Sequence, residues 1–339
     1  MVKTNSSEEL CVRETVATMA GNFFPVDIRT FRMASKDITF DVYLKLSEDN
    51  FAHVFSKSSG VDYKRLAQYI SKGVAHLFIR CEDDALFKEY MLRSPETIFN
   101  DPKVAGAKKV SILLNMAEQN VAELFSIIQV GEEAAATSVK IVKNFISLMS
   151  DNPKTLATLL KTASHGEYLY YHSISTAIIS MFLAKASGQA NARMLEICGL
   201  GGFLHDVGLT MLPKEIVDSP TDLTPAQWRE MRSHTKLGLK MLEGTPNIPD
   251  EVRYIVFQHH EEPGGSGYPS GLRGPVIFYP AKIVGLADSF CALITKRPFR
   301  DAYTVEQAIG IIQHEVGKYD RDLVKLLGTL FGTQKKAAA

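Results

Sequence analysis

The chain predicts an α+β protein: a small mixed α/β module at the N-terminus, then an all-helical domain. Three observations carry this expectation. Residues 23 to 93 mix short β-forming runs with helical stretches. After Pro153 the apolar pattern is helical almost without interruption. Every proposed metal ligand falls in that helical part. A length of 339 residues fits two domains, expected at 1–100 and 153–334 with a helical linker at 101–152.

In the first module, Ile38 to Leu46 is rich in β-formers and partly alternates, and Ala52 to Phe55 is a second short candidate. Ser58-Ser59-Gly60 breaks the pattern. A helix from Asp62, its N-cap, to about Lys72 follows. Val74 to Ile79 is another apolar run, and Asp83 to Arg93 is helical. Ser94-Pro95 and Asn100-Asp101-Pro102 punctuate the connection. Ala105 to Ser150 is helix-forming, and Asp151-Asn152-Pro153 ends it.

Two later helix starts are marked by capping boxes, at Thr224-Pro225-Ala226-Gln227 and Thr304-Val305-Glu306-Gln307. Further helices are expected from Lys161 to about Lys185, from Asn191 to Asp206, between Trp228 and Leu242, after Pro249 to His260, and from Ala281 to Thr295. The final Lys335 to Ala339 reads as a frayed tail.

With 45% hydrophobic and 22% charged residues and no net charge, the chain has an ordinary globular composition. Neither a nucleic-acid polymer nor a membrane surface is an expected partner. Met1 to Gly21 lacks the apolar core of a signal peptide. The longest apolar stretch, Ile174 to Ala184, is shorter than the roughly 20 residues of a bilayer span. None of the four cysteines forms a C-x-x-C pair. Cys198 and Cys291 read as buried thiols, so a cytoplasmic location is expected.

Only nine histidines occur in the chain, and His172, His205, His234, His259 and His260 fall on successive helices or helix ends. Asp206 and Asp288 join them. Asp288 sits among Ile283, Val284, Leu286 and Phe290, where a carboxylate is costly unless paired or metal-bound. His53 and His76, far away in sequence, read as ordinary surface or core residues. Imidazoles and carboxylates together are donors for divalent transition metals, and paired metals cleave phosphate esters. The set therefore points to a metal-dependent phosphohydrolase.

The segments His205-Asp206-Val207-Gly208, Ser233-His234-Thr235-Lys236-Leu237-Gly238, His259-His260-Glu261, Gly267-Tyr268-Pro269, Ala287-Asp288-Ser289-Phe290 and Arg297-Pro298-Phe299-Arg300 resemble the HD-GYP subgroup of the HD phosphohydrolase superfamily. The resemblance covers about residues 165 to 315. It implies an HD-type helical domain that hydrolyses cyclic di-GMP through a hydroxide activated between two metals. One metal would be held by His172, His205, Asp206 and Asp288. The other would be held by Asp206, His234, His259 and His260. Asp206 would bridge, and His205 and Asp206 form the catalytic pair. A third-metal glutamate of some relatives is Tyr168 here, so two ions are expected. By resemblance they are iron or manganese, with zinc, nickel and cobalt chemically compatible.

Glu262 to Gly271 forms a glycine-rich loop beside the ligands, where Gly267 permits close backbone approach and Tyr268 can meet a guanine or a phosphate. By resemblance Arg297 and Arg300 hold substrate phosphates; the alternative for each is a helix C-cap or a pair with Asp301. Leu209 replaces a usual lysine, Gly264 and Cys291 replace aspartates, and Phe299 replaces a tyrosine. The main alternative to an enzyme is thus a degenerate relative that senses cyclic di-GMP or docks a signalling protein through its Gly-Tyr-Pro loop or N-terminal module. A third reading is an HD enzyme acting on another nucleotide. The oligomeric state is not set by the sequence.

Overall fold

In the computed structural model the described residues are 14–17, 22–33, 38–91, 105–151, 168–189, 191–219, 221–296 and 300–332. The chain separates into two compact units, Met1–Asn115 and Met116–Ala339. The expected frayed tail, Arg297, and the Ser94-Pro95, Asn100-Pro102 and Asn152-Pro153 breaks lie outside the described residues.

The first unit is built on a five-stranded sheet in the order β1-β4-β3-β5-β2, antiparallel at every pairing. The strands are β1 (Glu14–Ala17), β2 (Phe23–Asp27), β3 (Val42–Ser47), β4 (Asn50–Phe55) and β5 (His76–Arg80). Helices α1 (Ile28–Met33), α2 (Tyr63–Ser71) and α3 (84–91) complete it. Alternation decides the faces. Val42 and Leu44 of β3 and Leu77 and Ile79 of β5 point into a core with Phe31, Leu66, Tyr69, Phe87 and Tyr90. The intervening Tyr43, Phe51 and Phe78 form an aromatic layer with Phe23, whose ring stacks on Phe51 at 4.1 Å. Asp62 caps α2 as expected, accepting from the Arg65 amide at 3.2 Å. Strands β1 and β2 and helix α1 had no counterpart in the sequence reading. All three are short, and Pro25 sits within β2.

The expected run from Ala105 to Ser150 is two helices, α4 (Gly106–Leu124) and α5 (Glu132–Asp151), parted by an irregular stretch that ends at Gly131. Next come α6 (Tyr168–Ala186), α7 (Ala192–Leu204) and a 3-10 turn at Val207–Met211. They are followed by α8 (Lys214–Val217), α9 (Pro225–Met231), α10 (His234–Met241) and α11 (Asp250–Gln258). A second 3-10 turn at Gly274–Val276 leads to α12 (Tyr279–Ile294), α13 (Val305–His314) and α14 (Arg321–Phe331). Both capping boxes form, at Thr224 and Thr304. Asn191 caps α7, accepting from the Met194 amide at 2.7 Å.

Helix α6 carries apolar residues on every side, and residues 172–181 are buried without a break, as a central helix must be. Around it pack Cys198 of α7, Ile283, Leu286, Phe290 and Cys291 of α12, Ile309 and Ile312 of α13, and Leu323 and Leu327 of α14. Burial raises the Cys198 thiol to about 12 and moves Cys291 in the same direction. No helix among the described residues is long and apolar enough to cross a membrane.

Two glycines set the spacing of the elements that carry the polar centre. A Cβ on Gly208 would land on the His234 carbonyl oxygen, and one on Gly285 would land on that of His259. Backbone cannot yield as a flexible side chain does, so larger residues there force the elements apart. Gly285→Ala is expected to cost about 1–3 kcal/mol or more, lowering the thermal midpoint by several degrees. Gly310→Ala, where nothing lies within 4 Å, should hold or raise the midpoint, because alanine is the better helix former. Calorimetry of the two variants checks the contrast, and equal midpoints would remove the close-approach account.

Candidate metal centre

The donor atoms come from five places in the helical unit. His172 lies on α6, His205 and Asp206 follow the last residue of α7, and His234 opens α10. His259 and His260 follow α11, and Asp288 lies within α12. His234 was expected inside one helix running from Trp228 to Leu242. The chain instead breaks at Arg232–Ser233 between α9 and α10. That break turns the His234 ring back onto the end of α9, where its Nδ1 donates to the Met231 carbonyl at 2.8 Å.

Two other rings are held alike. His205 Nδ1 donates to the Gly202 carbonyl and His259 Nδ1 to the Val256 carbonyl, both at 2.8 Å. A carbonyl only accepts, so each Nδ1 carries the hydrogen and each Nε2 of a neutral ring is a bare lone pair. His234 Nε2 and His259 Nε2 face one another at 3.3 Å. Two lone pairs at that distance repel unless a positive charge lies between them. The rings themselves are 2% and 3% exposed, so bulk water does not relieve the repulsion.

Asp206 stands between two donor groups. Its Oδ2 is 3.1 Å from His205 Nε2 and 3.7 Å from His172 Nε2, and its Oδ1 is 3.5 Å from His234 Nε2. His172, His205 and Asp206 form one group whose donor atoms all lie within 4.8 Å of each other; Asp206, His234, His259 and His260 form another. Asp288 Oδ1 is 2.9 Å from His172 Nε2 and 3.9 Å from His205 Nε2, and its Oδ2 is 4.0 Å from His260 Nδ1. The donor set, imidazole nitrogen plus carboxylate oxygen in two groups sharing one carboxylate, fits a pair of divalent transition metals.

Protonation differs between the groups. Burial alone would lower the His205 imidazole, but the carboxylates of Asp206 and Asp288 outweigh it and raise it to about 9. Burial opposes ionisation of Asp206 and Asp288 too. The histidines around each overcome it and hold both carboxyls well below the usual range. On the other side, burial and then the neighbouring imidazoles push His259 well down, and burial brings His260 to about 4. At neutral pH the His259–His260 side is neutral and ready to ligate, while His205 keeps a proton where a cation would sit.

The glycine-rich loop is anchored by residues to which the sequence reading assigned no role. Glu261, 5% exposed, accepts from the Ser270 and Leu272 amides at 2.7 Å each. Gln258 accepts from the Phe278 amide at 2.8 Å, and the Gly264 amide donates to Gly317 at 2.7 Å. An acid directly after two expected ligands and before a glycine run was the available sign. The loop folds Gly267 tightly against the backbone of His260–Glu262. The Tyr268 ring lies 4.7 Å from the His260 ring and 6.3 Å from His234. Arg300 does not face this space through free donors: its guanidinium donates to the carbonyls of Ala292, Leu293 and Asp301 and caps the end of α12. Leu209, on the 3-10 turn, is half-buried.

Residues 148–323 match the family model described as HD domain. The chain is 26% identical to cyclic di-GMP phosphodiesterase PA4108 of Pseudomonas aeruginosa over 65% of its own length and 54% of the relative's. It is 31% identical to 3'3'-cGAMP-specific phosphodiesterase 1 of Vibrio cholerae over 48% of its length and 37% of that protein. The chain thus spans about half or less of the curated relatives it matches. Among solved structures, the HDG"Y"P protein Bd1817 from Bdellovibrio bacteriovorus shares the fold, with TM-score 0.66 and 19% identity across 91% of this chain and 99% of that one. The family match spans the helices that carry the seven donor residues, and the chain belongs to the HD domain family.

Proposed function

We propose that the helical unit is a phosphodiesterase that hydrolyses cyclic di-GMP at a two-metal centre. The observation that supports this best is Asp206, which offers one oxygen to His172 and His205 and the other to His234. The names of the relatives, cyclic di-GMP and 3'3'-cGAMP phosphodiesterases, support the substrate class. His172, His205, Asp206 and Asp288 would hold one ion, and Asp206, His234, His259 and His260 the other, iron or manganese being the proposed metals. Such ions, when bound, supply an acidified water and neutralise charge on the phosphoryl oxygens.

The remaining work belongs to the chain. The three imidazoles donating to carbonyls keep Nε2 aimed inward, so no reorganisation is needed when charge develops. Tyr268 presents ring and hydroxyl beside His260. Burial, then the charges of Asp288 and Asp206, hold that hydroxyl protonated far above neutral pH, so it serves as a hydrogen-bond donor and not as a base. Arg297 is retained as a phosphate contact from its motif alone. Arg300, with its donors on carbonyls, is left out of the substrate site.

Metal quantification on the purified chain, paired with a cyclic di-GMP turnover assay, tests the reading. Linear dinucleotide or GMP as product supports it. Tight binding with no product would instead make the chain a sensor, and product from 3'3'-cGAMP alone would change the substrate. His205→Ala and Asp206→Ala are each expected to remove at least about one ion per chain while circular dichroism stays helical. Unchanged metal content in either variant would refute the ligand assignment.

The raised His205 value gives a pH dependence with a definite sign. Below about 9 a cation must displace the His205 proton, so uptake at pH 7.5 should release about one proton at that group. Release should fade as pH rises through 9. The His259–His260 side, already neutral, should release none until pH nears 4. Calorimetry in buffers of different ionisation enthalpy reads this, and proton-neutral uptake at pH 7.5 would contradict it. Leu209→Lys, restoring a cation on the 3-10 turn, is expected to raise turnover several-fold; an equal or lower rate would count against that role.

A further inference from the structure

We propose that Arg232 is a substrate-binding residue that holds the phosphodiester of a cyclic dinucleotide that is not being cut. This rests on the reading that the centre acts on cyclic dinucleotides. Such a ring carries two phosphodiester anions, and a pair of metals neutralises only the one it touches. The other must meet a protein cation or remain in water.

Arg232 stands over the Tyr268 ring, which flanks His260 of the candidate centre. It caps the end of α9 in the break that also turns His234 inward. Its amide bonds to the Trp228 carbonyl at 3.0 Å, and its own carbonyl accepts from Thr235 Oγ1 at 3.3 Å, so its backbone is held. The side chain is exposed. The guanidinium lies 5.3 Å from the centre of the Tyr268 ring, and that ring is 4.7 Å from His260. A cation over an aromatic face is positioned without spending its hydrogen-bond donors. The planar fork then remains available for two parallel bonds to phosphate.

Three other arginines of this unit show what a structural role looks like. Arg300 places its donors on three carbonyls, and Arg253 places its own on the Leu242 and Thr245 carbonyls and on Asp250. Arg193 pairs with Glu251 at 2.9 Å. The Arg232 guanidinium has neither a carboxylate within ion-pair distance nor a carbonyl acceptor among the described residues. Leu209 removes the cation expected from the 3-10 turn, which leaves the Arg232 side of the centre to supply the charge.

Arg232→Ala and Arg232→Lys, metal-loaded, are to be compared with the unaltered chain on cyclic di-GMP and on bis(p-nitrophenyl) phosphate, which carries one phosphodiester. Arg232→Ala is expected to raise KM for cyclic di-GMP about tenfold or more, with kcat less affected. Its loss of kcat/KM should be at least about tenfold larger for cyclic di-GMP than for the one-phosphate ester. Arg232→Lys should recover part of the loss, and the salt dependence of KM should be shallower in Arg232→Ala. Equal losses on both substrates would overturn the proposal, because displacement of Tyr268 or of a ligand injures both alike. An unchanged KM would also overturn it while leaving the phosphodiesterase reading intact. Failure of the unaltered chain to cleave or bind either compound would remove that reading, and this proposal with it.

Discussion

The centre depends on helices ending in the right place. The last four carbonyls of a helix have no partner within it, and three of the buried imidazoles use one each. Gly202, Met231 and Val256 lie in the last turns of α7, α9 and α11 and accept from His205, His234 and His259. Each ring completes the hydrogen bonding of a helix end and, by the same bond, is fixed in tautomer and direction. The negative ends of three helix dipoles also converge on the space that the rings enclose, which favours positive charge there. Had any of these helices run one turn further, its last carbonyls would be used internally and the ring would lose its anchor.

Close approach of backbones is the companion condition. Gly208 lets the turn after Asp206 lie against the first turn of α10, and Gly285 lets α12 lie against the end of α11. The same packing that sets these distances surrounds the donors with Ile283, Leu286 and Phe290 of the core. Seven ionisable groups in such company are stable only if their charges answer one another. His205, raised by the carboxylates of Asp206 and Asp288, supplies one such answer. The close pair His234–His259 meets Asp206, whose Oδ1 is 3.5 Å from His234 Nε2, and the two facing nitrogens would favour a cation between them.

The sequence made the class and the helical unit legible because both rest on local signals. Capping boxes at Thr224 and Thr304, apolar periodicity and the clustering of rare histidines are all readable within a turn or two. What escaped depends on tertiary partners. Strands β1 and β2 are four and five residues long and gain their structure by pairing with β4 and β5. The break before His234 carries neither glycine nor proline. Arg232 and Ser233 would sit comfortably in a helix, and the break coincides with the bond from the His234 ring to the Met231 carbonyl. Arg300 was weighed as a phosphate contact or as a cap, and the two differ only in where the α12 carbonyls lie. Glu261 was quoted within a motif but had no visible task until the amides of Ser270 and Leu272 were placed around it.

That last point bears on how the centre keeps one shape. A loop with five glycines between Gly264 and Gly274 has much conformational entropy to lose on ordering. Glu261 offsets that loss with two amide bonds inside the loop, from Ser270 and Leu272, and Gln258 holds the chain just beyond it through the Phe278 amide. Both side chains project from the terminus of α11 that carries His259 and His260. Candidate metal donors and loop anchors are therefore neighbours in one four-residue stretch, Gln258 to Glu261, and a disturbance of the anchors reaches Tyr268 through the His260 carbonyl that its amide contacts at 3.1 Å. Placing both functions on one helix end makes the position of the Tyr268 ring depend on the same backbone that aims the imidazoles.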